Sequence, residues 1–539
     1  MDLDRREVLQ SLAALAGMAA FGTAQAQAVD LGDQPFVKID PKEKPVRGGT
    51  LRLAAPVYIG SLNPSRLPVN DWLNMNFIFQ KMVLNDENYR PIVPFLLKSV
   101  VRDGQNQALI TLREGITFHD GTPLDAEALK GHFEWIKNPA NAAYTGAWVA
   151  NLETMEVVSP MQLRWKFKDA WAAFPGVLAS SPGFAMSPTA LKKDARRFEV
   201  SAPSGTGSYM VEEASPGNFL KLKRNPNYWL GKVIGQPDMP YFDNILISVI
   251  PDPAVRLASF RAGKLDMLTL DKSQYPTLKA DKSFNVYVSP LAITAAYRMN
   301  AVKGPCADIR VRKAIRHAID VKALIQGTQH GIGSQASGLF PPYHWAHDPN
   351  LKPAEFNPKL AKSLLAEAGF SNGVDIRGFV FNTPDAIEVA ESIKNMLAQV
   401  GIRWQVDALS PVAADARRKS MDWDLRVQGW TFISEPDLPM TGMYHPKGVF
   451  AQGAPAQPTR DSLIEAARME PSLDKRQAMY RLLEKQTNDE CLDLWLWWEA
   501  TAVAHQKWVR GYDHQASLKY RELYFATHAN WFANGKRGN

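Results

Sequence analysis

Apolar residues recur along this chain in two rhythms, one of period two and one near 3.6. The period-two stretches predict strands at Thr50–Ala54, Leu109–Arg113, Asn218–Arg224 and Asn244–Ile250. Met155–Phe167 alternates in the same way on both sides of a Ser159-Pro160 turn. Between these strands the spacing predicts helices at Asn76–Leu84, at Ala126–Ile136 with Leu129, Phe133 and Ile136 on one face, and at Ala254–Arg261 ahead of Gly263. Glu114-Gly115 and Asp120-Gly121 read as tight turns. Strands alternating with helices point to an α/β protein.

The second half repeats the rhythm with clearer punctuation. Ala295–Asn300 reads as a strand, and Asp308–Ile325 as one helix with an acidic N-cap and Gly327 past its end. Lys359–Ala368 has Asn357-Pro358 in front and Gly369 behind. Thr383 caps a long helix running to Val400, and Gly401 stops it. Ile402–Val406 and Asp424–Gln428 follow as strands, the second leading into a loop at Gly429–Pro439. Asp461–Gln486 reads as mostly helical and Leu492–Trp498 as an aromatic apolar run. No internal repeat is present.

Composition narrows the class. With 45% hydrophobic and 22% charged residues, a disordered chain, a collagen, a coiled coil and a small disulfide scaffold are excluded. At about 100–200 residues per domain, 539 residues suit three domains or two large ones. The net charge of +7 comes from 62 basic residues interspersed with 55 acidic ones, which argues against a nucleic-acid footprint. The densest basic stretches are Lys192–Arg197 and Arg310–Arg316. The second alternates with Val311, Ile315 and Ile319, so it reads as the wet face of an amphipathic helix. Cys306 and Cys491 form no CxxC and cannot make a cysteine metal site. A disulfide between them is allowed in an oxidising compartment.

The N-terminus reads as an address. Arg5-Arg6 precede the apolar run Leu12–Phe21, and Ala24, Ala26 and Ala28 follow. This is a charged region, a short apolar core and a small-residue cleavage site. The apolar run falls short of the roughly 20 residues needed to span a bilayer. Cleavage is expected after Ala28, with Ala26 the neighbouring choice. The arginine pair fits a twin-arginine signal, although Asp4 stands where Ser or Thr is usual; an ordinary Sec signal is the other reading. Residues 29–47 form a polar leader. The expected product is exported, periplasmic and free of a lipid anchor.

Catalytic motifs are absent: no GxSxG, HExxH or Walker A sequence occurs. Gly331-Ile332-Gly333 reads as a turn. His344-Trp345-Ala346-His347-Asp348 has metal-type residues, but its Pro/Asn setting suggests a solvated loop. Aromatic residues stand out instead. Trp423, Trp430, Trp495, Trp497 and Trp498 cluster late in a chain with 15 tryptophans, where they can serve either a core or a ligand cleft.

Several segments carry a resemblance. The run Leu112-Arg113-Glu114-Gly115-Ile116-Thr117-Phe118-His119-Asp120-Gly121-Thr122-Pro123-Leu124 is the most specific. Gly48-Gly49-Thr50-Leu51, Gly205-Thr206-Gly207-Ser208-Tyr209, Arg224 through Trp229, Arg310 through Asp320 and Ala361 through Phe370 agree in order and spacing. Together they resemble the periplasmic solute-binding proteins of ABC importers, in the peptide/nickel-binding family, over residues 48–525. The resemblance implies an α/β, two-lobe periplasmic-binding-protein fold of class II type, hinged over a ligand. The first lobe would occupy residues 29–289, with an extra subdomain at about 75–198. The second would occupy 290–495, and 496–539 would return to the first. In this family the run Leu112–Leu124 is structural.

The resemblance also implies a site. Peptide binders present a Trp and, three residues later, an Asp that pairs with the peptide's amino terminus. Trp430 matches, but Ile433 stands where the acid should be, and an isoleucine cannot neutralise an ammonium group. Glu435 is either a substitute acid or a cap on the following turn. Nickel binders use an arginine near Ala179–Phe184, where this chain has none; His445 alone makes a poor metal site. The expected contacts are Trp430 as a stacking wall, Arg426 and Glu435 as charge partners, and Tyr58 on the first lobe. The expected partners are a small-molecule or oligopeptide ligand and the permease subunits of the inner membrane. No catalysis, cofactor, metal or nucleic acid is expected, and the chain is expected to be a monomer. An exported enzyme and a chaperone-like binder are the rival readings.

Overall fold

The computed structural model describes residues 43–66, 72–430, 435–511 and 532–533. The address-like N-terminus and Ile433 lie outside these residues. The chain divides into two compact units, residues 291–500 and the described residues on either side of that stretch. It passes between them within two long strands, Phe284–Met299 and Asp493–Gln506.

The unit holding the N-terminal half has two four-stranded sheets. In the first, Thr50–Ala55 runs parallel to Asn244–Val249, followed by Phe219–Arg224 and Tyr209–Ser215. The second is an antiparallel sheet of Leu97–Arg102, Gln107–Leu112, Gln162–Phe167 and Leu152–Ser159. Every second residue of Gln107–Leu112 is buried, as its alternation demands. The helix Ala126–Lys137 is capped by Asp125 and places Phe133 against Trp165, ring centroids 4.6 Å apart.

The run Leu112–Leu124 acts as a clasp here. Gly115 and Gly121 adopt φ of 75° and 86°, the left-handed region that favours glycine. The Asp120 carboxylate accepts from the Thr122 N–H at 3.0 Å and from the Ser187 hydroxyl at 2.5 Å. The half-buried His119 ring lies 3.0 Å from the Gly207 carbonyl, and its desolvation lowers its pKa to about 4. The helix expected over Asn76–Leu84 is different in the structure. A helix spans Trp72–Ile78, and Val83–Leu84 pairs with Val93–Pro94 as a short strand. Phe77 through Leu84 are all buried, so the run carries no period. Tertiary bonds such as Met82 N–H to Gly183 O, 3.0 Å, settle its conformation.

In the other unit, Phe284–Met299 lies between Asp493–Gln506 and Leu425–Trp430; Val374–Phe381 and Ile402–Leu409 complete the row. A core of Ile376, Ile402, Leu425, Leu494 and Leu496 meets the helices Ile309–Ala318, Val321–Thr328, Pro358–Glu367 and Pro384–Gln399. The single helix expected over Asp308–Ile325 is two helices. Asp320 accepts from the Ala323 N–H at 3.0 Å and starts the second, with Ile319 extended between them. Asp461–Gln486 likewise divides into Pro458–Met469 and Leu473–Asp489, around Pro471.

Two expectations about exposure are corrected. The basic stretch Arg310–Arg316 is not simply a wet face. Arg312 is buried and donates to the carbonyls of Cys306, Ala307, Cys491 and Glu490, and Arg316 to those of Asn488 and Asp493. The loop holding His344 and His347 is buried, not solvated. His344 stacks on Phe340 with centroids 4.9 Å apart, and His347 meets the Phe340 carbonyl at 2.9 Å. Hydrogen bonding and ring packing offset the burial of these polar groups. Among the described residues, no group of His, Cys, Asp and Glu side chains could hold a metal ion. No described helix is long and apolar enough to cross a membrane.

Candidate functional site

The strand Leu425–Trp430 has two unlike faces. Leu425 and Val427 point into the apolar core, as their alternation requires. Arg426, Gln428 and Trp430 occupy the other face. Across the antiparallel pairing, Arg298 lies opposite Arg426, Ala296 opposite Gln428, and Thr294 opposite Trp430.

Two buried arginines therefore sit side by side, Arg298 fully buried and Arg426 only 2% exposed. Like charges directly opposite each other are unfavourable unless something compensates. Arg298 has its compensation. Its Nε and Nη2 donate to the two Asp493 oxygens at 2.7 and 3.2 Å, and the Tyr444 hydroxyl donates to the same carboxylate at 2.7 Å. Its guanidinium also lies 4.9 Å over the Tyr444 ring.

Arg426 has no carboxylate partner among the described residues. It donates to the carbonyls of Val427 at 3.0 Å and Phe450 at 3.4 Å, and to the Gln428 side chain. Its guanidinium lies 4.7 Å over the Trp423 ring, while its buried Nε has no partner. Burial, and next the charges of Arg298 and Arg418, hold its pKa well below the usual arginine value.

Trp430 ends the strand half-buried. Its ring meets Phe450 edge-on, centroids 5.9 Å apart. Its outer edge rests on Gly442 of the helix Asp437–Tyr444, where an added Cβ would come within 2.9 Å of Cη2. The indole is thus braced along one side by a glycine and a phenylalanine.

Glu435 occupies a separate cluster. It is fully buried, and Arg476 Nη2 donates to its Oε1 at 2.5 Å. The Asp437 N–H also donates to Oε1, at 3.2 Å, so this carboxylate caps the turn into the helix. The second oxygen has no partner among the described residues, and burial raises the pKa to about 7. Tyr58 belongs to the other unit, where its buried hydroxyl has no partner among the described residues and burial raises its pKa. The structure thus brings Trp430 and Arg426 onto one strand face and ties Glu435 to Arg476. His445 meets Glu465 at 3.2 Å. Asp493, Tyr444, Phe450 and Gly442 escaped the sequence reading. Only the exact spacing of a strand face could have suggested Gln428.

Comparison with known proteins agrees with this architecture. The glutathione-binding protein GsiB of Escherichia coli K12 is 30% identical over 302 residues, 56% of this chain and 57% of that protein. The chain thus spans little more than half the length of the curated relatives it matches. NikA from Brucella suis, solved with Fe(III)-EDTA, is 25% identical with a TM-score of 0.76, covering 86% of this chain and 96% of NikA. The periplasmic binding protein DppA from Helicobacter pylori, solved with the peptide STSA, shares the fold with a TM-score of 0.75 at 20% identity, over 91% of this chain and 99% of that one. Residues 91–450 match the family described as bacterial extracellular solute-binding proteins, family 5. With that match over well more than half of its residues, the chain belongs to the family 5 extracellular solute-binding proteins.

Proposed function

We propose that this chain is the extracytoplasmic receptor of an ABC importer, which captures a small peptide-like solute and delivers it to permease subunits in the inner membrane. One observation carries the reading at the level of chemistry. Trp430 presents a half-buried indole on the same strand face as Arg426, a buried guanidinium to which no described carboxylate bonds. A solute that stacks on the indole and turns a carboxylate toward Gln428 and Arg426 would supply the missing charge. No covalent step is needed for such a role.

Family membership and the names of the relatives, which bind glutathione and a peptide, support a solute with an acidic end. Glu435 is engaged by Arg476, so it is a weak candidate for an acid facing an ammonium group. The reading therefore favours carboxylate recognition over amine recognition at this strand. Export, by the Sec or the twin-arginine route, and a monomeric state belong to the same proposal.

Native mass spectrometry of protein purified without unfolding tests it. The expected result is a retained small solute bearing a carboxylate, released on denaturation. A bound chromophoric cofactor, or turnover of a solute, would replace the receptor reading with the enzyme one. Capture of unfolded chains in place of a small solute would favour the chaperone-like reading.

A further inference from the structure

We propose that Cys306 and Cys491 are joined by a disulfide in the exported protein. They are the two cysteines of the 539-residue chain, and both thiols are fully buried in the same apolar core. In the structure they are free thiols. The proposal rests on export of the chain before it folds, the Sec reading of its signal, and is independent of the solute.

One side chain brings the two backbones together. Arg312 donates from Nη1 to the Cys306 carbonyl at 2.8 Å and from Nε to the Cys491 carbonyl at 3.0 Å. It completes its set with the Ala307 carbonyl at 2.9 Å and the Glu490 carbonyl at 2.8 Å. A disulfide needs Cα atoms roughly 4.4–6.8 Å apart. The shared guanidinium makes the two backbone segments immediate neighbours, and both side chains enter the same core. The grip also fixes the turn Pro305–Ala307 against the end of the helix Leu473–Asp489.

The backbone at Cys491 is the independent observation. Its φ is 54°, one position beyond the C-cap Glu490 of that helix. This is the place where helices take glycine, or asparagine, because a side chain in the left-handed region has a steric cost. A cysteine that bears this cost gains most if its sulfur has a bond to make. Buried cysteines also serve as small hydrophobes, but alanine would do so at 491 as well.

The chemistry balances with a disulfide oxidant of the envelope, either a thiol oxidoreductase or an oxidised low-molecular-weight thiol. One cysteine thiolate attacks the oxidant's S–S bond, forming a mixed disulfide and expelling one oxidant thiolate. The second cysteine thiolate attacks the protein sulfur of that mixed disulfide and expels the other. Two thiol protons end on the two oxidant thiolates. The protein loses two electrons and the oxidant gains them. The exchange takes place during folding, before the core closes over the sulfurs.

The test begins with the envelope fraction dissolved directly in denaturant that contains an alkylating agent and no reductant, so that buried thiols are reached, followed by intact-mass measurement. The expected mass carries no alkyl group and lacks two hydrogens relative to the dithiol, and proteolysis links the peptides holding Cys306 and Cys491. Two alkyl groups on most molecules would overturn the proposal. In a second arm, purified protein is reduced, unfolded and refolded in mixed oxidised and reduced glutathione. The expected result is the same cross-link, with a melting temperature that drops on reduction in wild type and not in Cys306→Ala/Cys491→Ala. A refolded native protein without the cross-link overturns the pairing whatever the cell fraction. Fractionation of the first sample reports separately on export.

Discussion

Arg298 and Arg426 face each other across one pair of strands, equally buried, yet they solve the same problem differently. Arg298 meets a carboxylate through two bonds, backed by a tyrosine hydroxyl. Arg426 meets only carbonyls, an amide and an indole face. The first arrangement is complete within the protein. The second holds a charge with no carboxylate bonded to it among the described residues, beside a half-buried tryptophan. A buried pair holds its place because each partner satisfies the other; a lone buried charge is tolerated where its function needs it.

The largest expected effect tests the complete half. Asp493→Ala leaves Arg298 buried and unpaired, and should cost about 3–5 kcal/mol of stability. Denaturant unfolding followed by circular dichroism measures it. Arg426→Met should change stability by less than about 1 kcal/mol, since no ion pair is broken and a cation is removed from beside Arg298. Equal losses in the two variants would erase the contrast.

A second prediction extends the contrast to acids. Glu484 is buried and accepts from the Phe340 and Asp348 N–H groups at 2.9 and 2.8 Å; the His347 ring lies 3.8 Å away, and burial lowers its pKa. Burial raises its pKa from 4.5 to about 8. The folded state therefore holds the proton more tightly than the unfolded chain. Its stabilising effect is complete below about pH 4.5 and is lost as pH rises toward about 8, by up to about 1.4 kcal/mol per pH unit. Glu484→Gln should flatten that decline in melting temperature between pH 5 and 8, at roughly those values. An unchanged slope would mean that the carboxylate is ionised throughout.

Trp430→Ala should weaken capture of the solute recovered from the native protein by about tenfold, roughly 1.4 kcal/mol, with an unchanged melting curve. Calorimetry reads it, and wild-type affinity would assign the indole to packing. The smallest effect is expected from Gly442→Ala. Its Cβ would meet the Trp430 ring at 2.9 Å, so the ring must shift. Affinity should fall about threefold while the helix gains up to about 1 kcal/mol from the better helix former. A variant that loses affinity without a change in stability sharpens the case for a positioned indole.

Much of the local structure was legible. The alternation at Gln107–Leu112 and the caps at Asp308, Asn357 and Thr383 lie where side-chain chemistry puts them. The glycine turns at 115 and 121 do as well. The segment Asn76–Leu84 was misread because a wholly buried run has no period to follow. Arg312 and the His344 loop were misread because a polar residue signals water only when no partner lies inside. Of the candidate site, Trp430 and Arg426 were legible as residues, but not Glu435's engagement by Arg476, 41 positions away.

The sequence by itself determined the α/β alternation, the turns of the Leu112–Leu124 clasp and the family, because these rest on neighbours a few positions apart. Tertiary structure alone decided which buried charges are neutralised. Asp493 reaches Arg298 across 195 positions, and among the described residues no carboxylate bonds to Arg426. Pairing depends on which side chains fold into reach, and a charge in a low-dielectric interior has its energy set by the few groups within a few ångströms.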